Sequence, residues 1–562
     1  MKYSNIFIIY ITSFTWFLQE TGSLYQIQFV PLKLCPAYNL LELNKWQFSP
    51  SLLCKALPCR KQRSGFIGVT NDVSFSIVDP IKLSKKIKLV AISDDVLANI
   101  LDLDPGKIVE LPYFAEFAGG NYILPSSTPI AHRYGGHQFG SWAGQLGDGR
   151  AILLGEYVNR HGRRWELQLK GSGRTPYSRH GDGRAVVRSS VREFLASEAM
   201  HYLGIPTSRA ASLIVGQDEV WRDQFYDGHP NKERIAVVLR LAHSWFRIGS
   251  LEVLTLNGEI GLLRKTVDFI IEQHFSHLDV RKNKYEEFFA DVVHNTADMI
   301  AKWQSVGFAH GVCNTDNFSL MSITIDYGPF GFMDGYNPKF VPNTSDDEGR
   351  YSYENQPDVG YFNLNKLRLA LAPLISEKRS SDILKNYSSI FTRKYNELFR
   401  LKLGLLNEMP DDALLVEKLL TMMRETKADF TMTFRGLSER TLREQNDPEI
   451  IKEHWALSDL SKHRNWKEWL NHYHRRLLLH NGENDNDIKR QNRMKERNPL
   501  YILRNWMAEK AIKMTEIDDF SEVRNLLKIL ENPFVSQEIA ERSGYSSRPP
   551  SWASKLRVSC SS

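Results

Sequence analysis

Cysteine is scarce in this chain, five residues in 562: Cys35, Cys54, Cys59, Cys313 and Cys560. So few, so scattered, predict neither a disulfide framework nor a zinc site, and they fit a reducing compartment. Charge of one sign is lacking too. The 72 basic and 66 acidic side chains leave a formal charge of +6, and the two signs are interspersed, so the basic face of a nucleic-acid-binding protein is not expected. No apolar run reaches the roughly 20 residues that a membrane-spanning helix needs; the one at 6–18 falls short, and no stable membrane span is predicted. Internal repeats are missing. So are the phosphate loop G-x-x-x-x-G-K-[ST] and a G-x-G-x-x-G placed before a helix, which argues against Walker-type and Rossmann sites. What remains is ordinary: 42% hydrophobic and 25% charged residues describe a globular protein, long enough for more than one domain.

Up to Thr70 the only acids are Glu20 and Glu42, while Lys and Arg recur, as in Arg60-Lys61-Gln62-Arg63. An acid-poor, basic start is the bias of an organelle transit sequence. The apolar run makes a secretory signal the alternative, although little charge precedes it and no small-x-small cleavage site follows. Residues 1–40 are therefore read as a candidate targeting segment.

Short strands and a helix are expected over 72–104, then a glycine-rich stretch, 117–149, holding HRYGGHQFGSWAGQLGDGR. Strand patterns follow at 151–158 and 164–170, joined by the turn Asn159-Arg160-His161-Gly162. On the second strand Trp165, Leu167 and Leu169 share one face, and Glu166, Gln168 and Lys170 the other. A second glycine loop, GSGRTPYSRHGDGR, runs into a helix marked by Val187, Val191, Phe194 and Leu195 at i, i+4, i+7 and i+8. A strand at 235–241 carries Arg240, and a helix at 285–304 has the stripe Phe289, Val293, Ala297 and Ile300. After FAHGVCNTDN the run SLMSITID, 319–326, reads as strand-like. From about 363 to 530 the pattern is mainly helical, with a charged interruption at 481–497, and the Ser- and Pro-rich end reads as an exposed tail. Strands first and helices later predict an α+β fold with two lobes. The expected divisions are 41–235 with the glycine loops, 236–535 mainly helical, and a tail at 536–562.

The glycine loops suit phosphate, because a chain without Cβ can bring its N–H groups close to oxygens; plain turns are the alternative. Lys170 on a strand and Glu193 in the next helix have the placement with which kinase-like folds aim an ammonium at nucleotide phosphates, whereas an arbitrary Lys/Glu pair is a solvated one. Arg240, in the apolar run VVLRLA, needs an acidic or phosphate partner, since an unpaired buried guanidinium is costly; Arg247 follows seven residues on. Asn317 and Asp326, nine apart, are hard oxygen donors suited to magnesium, and Asp316 could accept a hydroxyl proton. Turn chemistry is the alternative for each of them. His132, His137 and His310 lack partners at ligand spacing and read as packing or hydrogen-bonding residues.

The stretches YGGHQFGSWAGQLGDGRAILLGE, LQLKGSGRTPYSRHGDGRAVVRSSVREFLASEAMHYLGIPTSRA, FAHGVCNTDNFSLMSITIDYGPFGFMD and GRYSYENQP closely resemble the selenoprotein O family, the YdiU-like protein adenylyltransferases, over most of the chain from about Trp46. The resemblance implies a protein-kinase-like fold that binds ATP flipped relative to kinases. It implies transfer of AMP to Ser, Thr or Tyr hydroxyls of protein substrates, with pyrophosphate released, and a link to redox homeostasis. Matched onto this sequence, Gly147, Gly149, Arg150, Lys170, Asp182, Gly183, Arg240, Arg247 and Asp326 fall at the family's nucleotide-binding positions. Glu193 pairs with the lysine, Asp316 is the proton acceptor, and Asn317 and Asp326 hold Mg2+, with Mn2+ as its substitute. Animal members carry selenocysteine third from the end in a Cys-x-x-Sec pair. Cys560 stands there as a candidate redox residue, with Arg557 rather than cysteine three positions before it. Eukaryotic relatives are mitochondrial, which turns the basic N-terminus toward that reading. A kinase-type phosphotransferase and a nucleotide-binding pseudokinase scaffold are the competing functions.

Overall fold

The computed structural model describes residues 40–61, 65–278, 283–479 and 485–559, together with the backbone of three strands near the N-terminus, Phe7–Ile11, Phe14–Thr21 and Leu24–Ile27. These three pair as an antiparallel meander. The rest of the candidate targeting segment, and Cys560, lie outside the described residues.

The fold is mixed α+β, a large sheet followed by many helices. The sheet runs in the order Cys59–Lys61, Phe75–Ile77, Ile130–His132, Ala151–Val158, Arg164–Lys170, Asn231–Ala242, Arg209–Arg222 and Ile87–Ile92, with the short strand Ala185–Val186 attached to Asn231–Ala242. All pairings are antiparallel except the first. The two strands expected at 151–158 and 164–170 form with those bounds. The register shifts at Gly155, whose absent side chain makes room for the Phe48 ring. The strand expected at 235–241 is longer, Asn231–Ala242, and passes through the 235/236 division.

Both faces of the central strands are covered and both carry apolar side chains, while Gln168, Lys170 and Arg240 stand as paired polar groups among them. Leu167, Leu169, Leu239 and Leu241 pack against Phe114 and Phe117 of the helix Pro112–Gly119. Each such leucine contributes about 1.5–3 kcal/mol by leaving water. Against the other side lies the helix Val187–Tyr202, with Val187, Val191, Phe194 and Leu195 all buried. It sits where its period predicted. The expected helix at 285–304 is Lys284–Ser305, and its stripe is buried. A second apolar core, built on Phe399, Leu419, Phe430, Phe434, Trp469 and Tyr473, organises the C-terminal helices. No helix among the described residues is long and apolar enough to cross a membrane.

Four expectations need correction. Cys54 and Cys59 are joined in a disulfide, their Cα atoms 5.3 Å apart. The short helix Leu53–Ala56 and the start of the next strand bring together two cysteines that a count over the whole chain treats as scattered. Within the stretch read only as glycine-rich, Gly135–Gln138 and Ser141–Gln145 form a separate two-stranded hairpin. The strand-like run 319–326 is irregular, held by isolated bridges from Thr324 to Phe318 and Thr207, and left-handed backbone at Ser322 and Asp326 prevents extension. The tail is no loose end. Ala540 and Tyr545 are buried, Thr344 donates its N–H to Val558 O at 2.8 Å, and the Arg557 guanidinium stacks 4.2 Å over the Phe225 ring.

Candidate active site

Lys170 ends its strand on the polar side, next to Arg240 of the neighbouring strand Asn231–Ala242. Glu193 comes from the helix Val187–Tyr202 packed beneath. Lys170 Nζ is 2.6 Å from Glu193 Oε2, and Arg240 Nη1 donates to Glu193 Oε1, also at 2.6 Å. The ammonium and the guanidinium thus share one carboxylate that is almost wholly buried. Gln168, opposite Arg240 in the strand pair, accepts from Arg240 Nε at 2.8 Å and donates to Asp148 at 3.1 Å. The sequence alternation placed Gln168 correctly but gave no sign of this use.

Asp326 faces the same group. Its Oδ1 accepts from Arg240 at 2.5 Å and from Lys170 at 3.2 Å, and its Oδ2 from Arg247 at 2.7 Å. Arg247 begins the helix Ile248–Leu256 and also donates to the Asp316 carbonyl at 2.8 Å. Burial opposes the Asp326 charge, yet Arg240, Arg247 and Lys170 outweigh it and hold the carboxyl well below the usual range. Burial lowers the Lys170 ammonium, with Glu193 and Asp326 opposing the shift. Asp326 has φ +59, a left-handed conformation that costs of order 1 kcal/mol in a non-glycine residue. Such strain, here on a cation-caged carboxylate, is typical of functional positions.

Asp316 lies in a one-turn 3-10 helix, Thr315–Asn317. Burial pushes its carboxyl up to about 7, against the pull of Arg247 and a hydrogen bond from Gln138. Asn317 donates its amide to Val312 O at 3.0 Å, which fixes the side chain.

A cavity of about 730 Å³ gathers these groups, a volume in the range of small-molecule sites. Gly147, Gly149, Arg150, Lys170, Asp182, Gly183, Arg240, Arg247, Asp316, Asn317 and Asp326 all line it. Glu193 lies behind Lys170. Cations outnumber acids along the wall, as suits a polyanion. Gly147 has φ +119 and Gly183 φ +72, and a Cβ at either would collide, with Tyr177 and with the Gly173 carbonyl respectively. Asp182 takes two 2.8 Å hydrogen bonds from Arg222 and another from Arg184 N. Sequence reasoning missed Arg222, Arg188, Arg192 and residues 556–559, which also line the cavity; only the fold brings them near. His132 stacks on Phe75, and His310 bonds to Ile325 O at 2.9 Å.

Among the described residues no group of three or more His, Cys, Asp or Glu is placed to hold a metal ion. Asn317 and Asp326 are the residues on the cavity wall that could hold magnesium. Both are oxygen donors on the cavity wall, and Mg2+ is commonly bound by one or two side chains, with phosphate oxygens and water completing its shell.

The family model for protein adenylyltransferase SelO matches residues 71–531. A protein nucleotidyltransferase YdiU of Xanthomonas campestris pv. campestris (strain B100) is 44% identical over 480 residues, covering 84% of this chain and 90% of that protein. Both matches span the glycine loops, the lysine strand and the Asp316–Asp326 segment, and the chain therefore belongs to the SelO family of protein adenylyltransferases, enzymes with nucleotidyltransferase activity.

Proposed function

We propose that the cavity is the cleft of a two-lobed, kinase-like enzyme that binds ATP with its outer phosphates inward and transfers AMP to Ser, Thr or Tyr hydroxyls of proteins. The observation that carries this reading is the placement of Asp316 on the same wall as the cluster of Lys170, Arg240 and Arg247. At rest those three cations are satisfied by Glu193, Asp326 and the more distant Asp148. Entry of a triphosphate gives them a stronger anion, and Arg240 and Arg247 can each bind its oxygens through two parallel hydrogen bonds.

Asn317 and Asp326 would hold Mg2+, or Mn2+, which would neutralise phosphate charge and help orient the triphosphate. The chain's own groups do the rest. Asp316 receives the proton of the acceptor hydroxyl as its oxygen bonds to the α-phosphorus and the bond to pyrophosphate breaks. Lys170 and the two arginines stabilise charge on the departing pyrophosphate. A carboxyl near 7 is partly ionised at neutral pH, as a general base must be.

Incubation of the pure protein with acceptor protein and either α- or γ-labelled ATP tests the reading. Label should stay on protein from the α position only. Retention from the γ position alone would make the enzyme a kinase-type phosphotransferase. ATP binding with neither label transferred would make it a scaffold. A redox role for Cys560, carried by the resemblance alone, and a mitochondrial location, carried by the acid-poor, basic N-terminus together with the resemblance, are further proposals.

A further inference from the structure

The hairpin Gly135–Gln138/Ser141–Gln145 has no place in the function described so far, yet it is built onto the catalytic segment. His137 N donates to Thr315 Oγ1 at 2.7 Å. Phe139 N lies 3.2 Å from Asn314 Oδ1 and 2.9 Å from Tyr351 OH, which itself donates to Asn314 Oδ1 at 2.6 Å. The His137 ring is held 2.6 Å from Glu252 Oε1. Phe139 has φ +48, so the chain accepts strain at this point to keep these bonds. Gln138 stands between two residues anchored to Asn314 and Thr315. Its own side chain lines the cavity and donates Nε2–H to Asp316 Oδ2 at 3.2 Å.

The two Asp316 oxygens are therefore unequal. Oδ1 is buried without a hydrogen-bond partner, packed on Gly136, where even a methyl group would come within 2.6 Å. Oδ2 faces Gln138 and the cavity wall, and it keeps lone-pair capacity for a second donor. We propose that Gln138 is a positioning residue for acceptor activation: its carboxamide orients Asp316 so that Oδ2 meets the incoming hydroxyl. The inference rests on the reading of Asp316 as proton acceptor. It extends the site to a residue whose chemistry is invisible without the fold.

The test compares the full-length wild type with Gln138→Ala, Gln138→Glu and Gln138→Asn, using a mixed pool of Ser-, Thr- and Tyr-containing peptides as acceptor. Rates are read from whichever ATP label the wild type incorporates, so a wrong phosphorus overturns the adenylyl reading and leaves this comparison intact. Loss of orientation should lower kcat about 10²-fold in Gln138→Ala while KM for ATP stays within about twofold. Gln138→Glu keeps the volume but has no donor and should be at least as slow, so a folding defect in the alanine variant does not decide the matter. Gln138→Asn, a donor on a shorter arm, should recover part of the rate. Unchanged kcat in Gln138→Glu, or a rise in KM for ATP without a fall in kcat, overturns the proposal.

Discussion

Glu193 bridges Lys170 and Arg240: one carboxylate oxygen lies 2.6 Å from the ammonium and the other accepts from the guanidinium at the same distance. Two neighbouring strands are thereby tied to one helix through a single buried acid. Removing the acid leaves both cations to share Asp326 alone, whereas removing the lysine leaves the acid satisfied by Arg240.

Lys170→Ala should consequently damage catalysis more than folding. We expect kcat/KM for ATP to fall about 10²-fold or more, with only a small change in melting temperature. Steady-state kinetics beside a thermal melt checks this. A collapse of the melt with no selective kinetic loss would show that the lysine is structural.

Asp326→Ala should abolish transfer and at the same time relieve the nearby cations of their shared counter-charge. ATP binding measured calorimetrically in EDTA should then be tighter than in the wild type, because Lys170, Arg240 and Arg247 no longer satisfy a carboxylate. Folding stability should drop by about 3 kcal/mol, the scale for breaking a buried pair. Transfer at the wild-type rate would remove Asp326 from the reaction.

Gly183→Ala places a methyl group against the Gly173 carbonyl and asks for φ +72 from a residue with a side chain. Strain of about 1–3 kcal/mol is expected before the clash is counted. Urea titration should show the loss, and ATP affinity should fall with it, since both glycines belong to the loop lining the cavity. Gly162→Ala, at a turn with open space around it and φ +72, should cost stability without touching ATP affinity.

Lys402 offers a test remote from the site. It is buried, its Nζ lies 4.5 Å from the centre of the Phe434 ring and 5.6 Å from that of Phe430, and burial lowers its ammonium to about 7. The unfolded chain titrates near 10.5. Between these values the unfolded state binds more protons, so stability rises with pH across that window and is lost on return toward 7. Lys402→Met should be more stable than the wild type below about pH 7, by roughly 2 kcal/mol or more. The advantage should shrink toward pH 10.5. Denaturant titrations of both proteins at pH 6.5, 8 and 10 measure the difference; a constant gap would refute the assignment.

Much of the frame was legible because local pattern and burial agree. The 151–158 strand is a short, mostly apolar run and the 164–170 strand alternates, the two flanking a glycine turn, and Val187, Val191, Phe194 and Leu195 mark a helix that forms where expected. The run 319–326 misled for a definable reason. Leu320 and Ile325 are buried and Met321 and Ile323 half-buried in a compact irregular loop, where the apolar composition reflects packing and not extension. The 135–145 hairpin escaped notice because Gly-Gly-His-Gln has little strand propensity; its place comes from Thr315, Asn314 and Glu252, each more than 100 residues away. The anchoring of the tail escaped in the same way: most of its Ser and Pro stay at the surface, and Thr344 and Phe225, which hold it, lie far off in the chain.

The sequence by itself determined which chemical groups this protein carries and in what order: lysine, helix glutamate, two arginines, then Asp-Asn and a later Asp. It did so because side-chain chemistry and chain order are local properties. Only the tertiary structure decided which charges neutralise which, that Asp326 is caged by three cations, and which Asp316 oxygen Gln138 holds. Coulombic and hydrogen-bond energies depend on distances between residues far apart in the chain, and packing sets those distances.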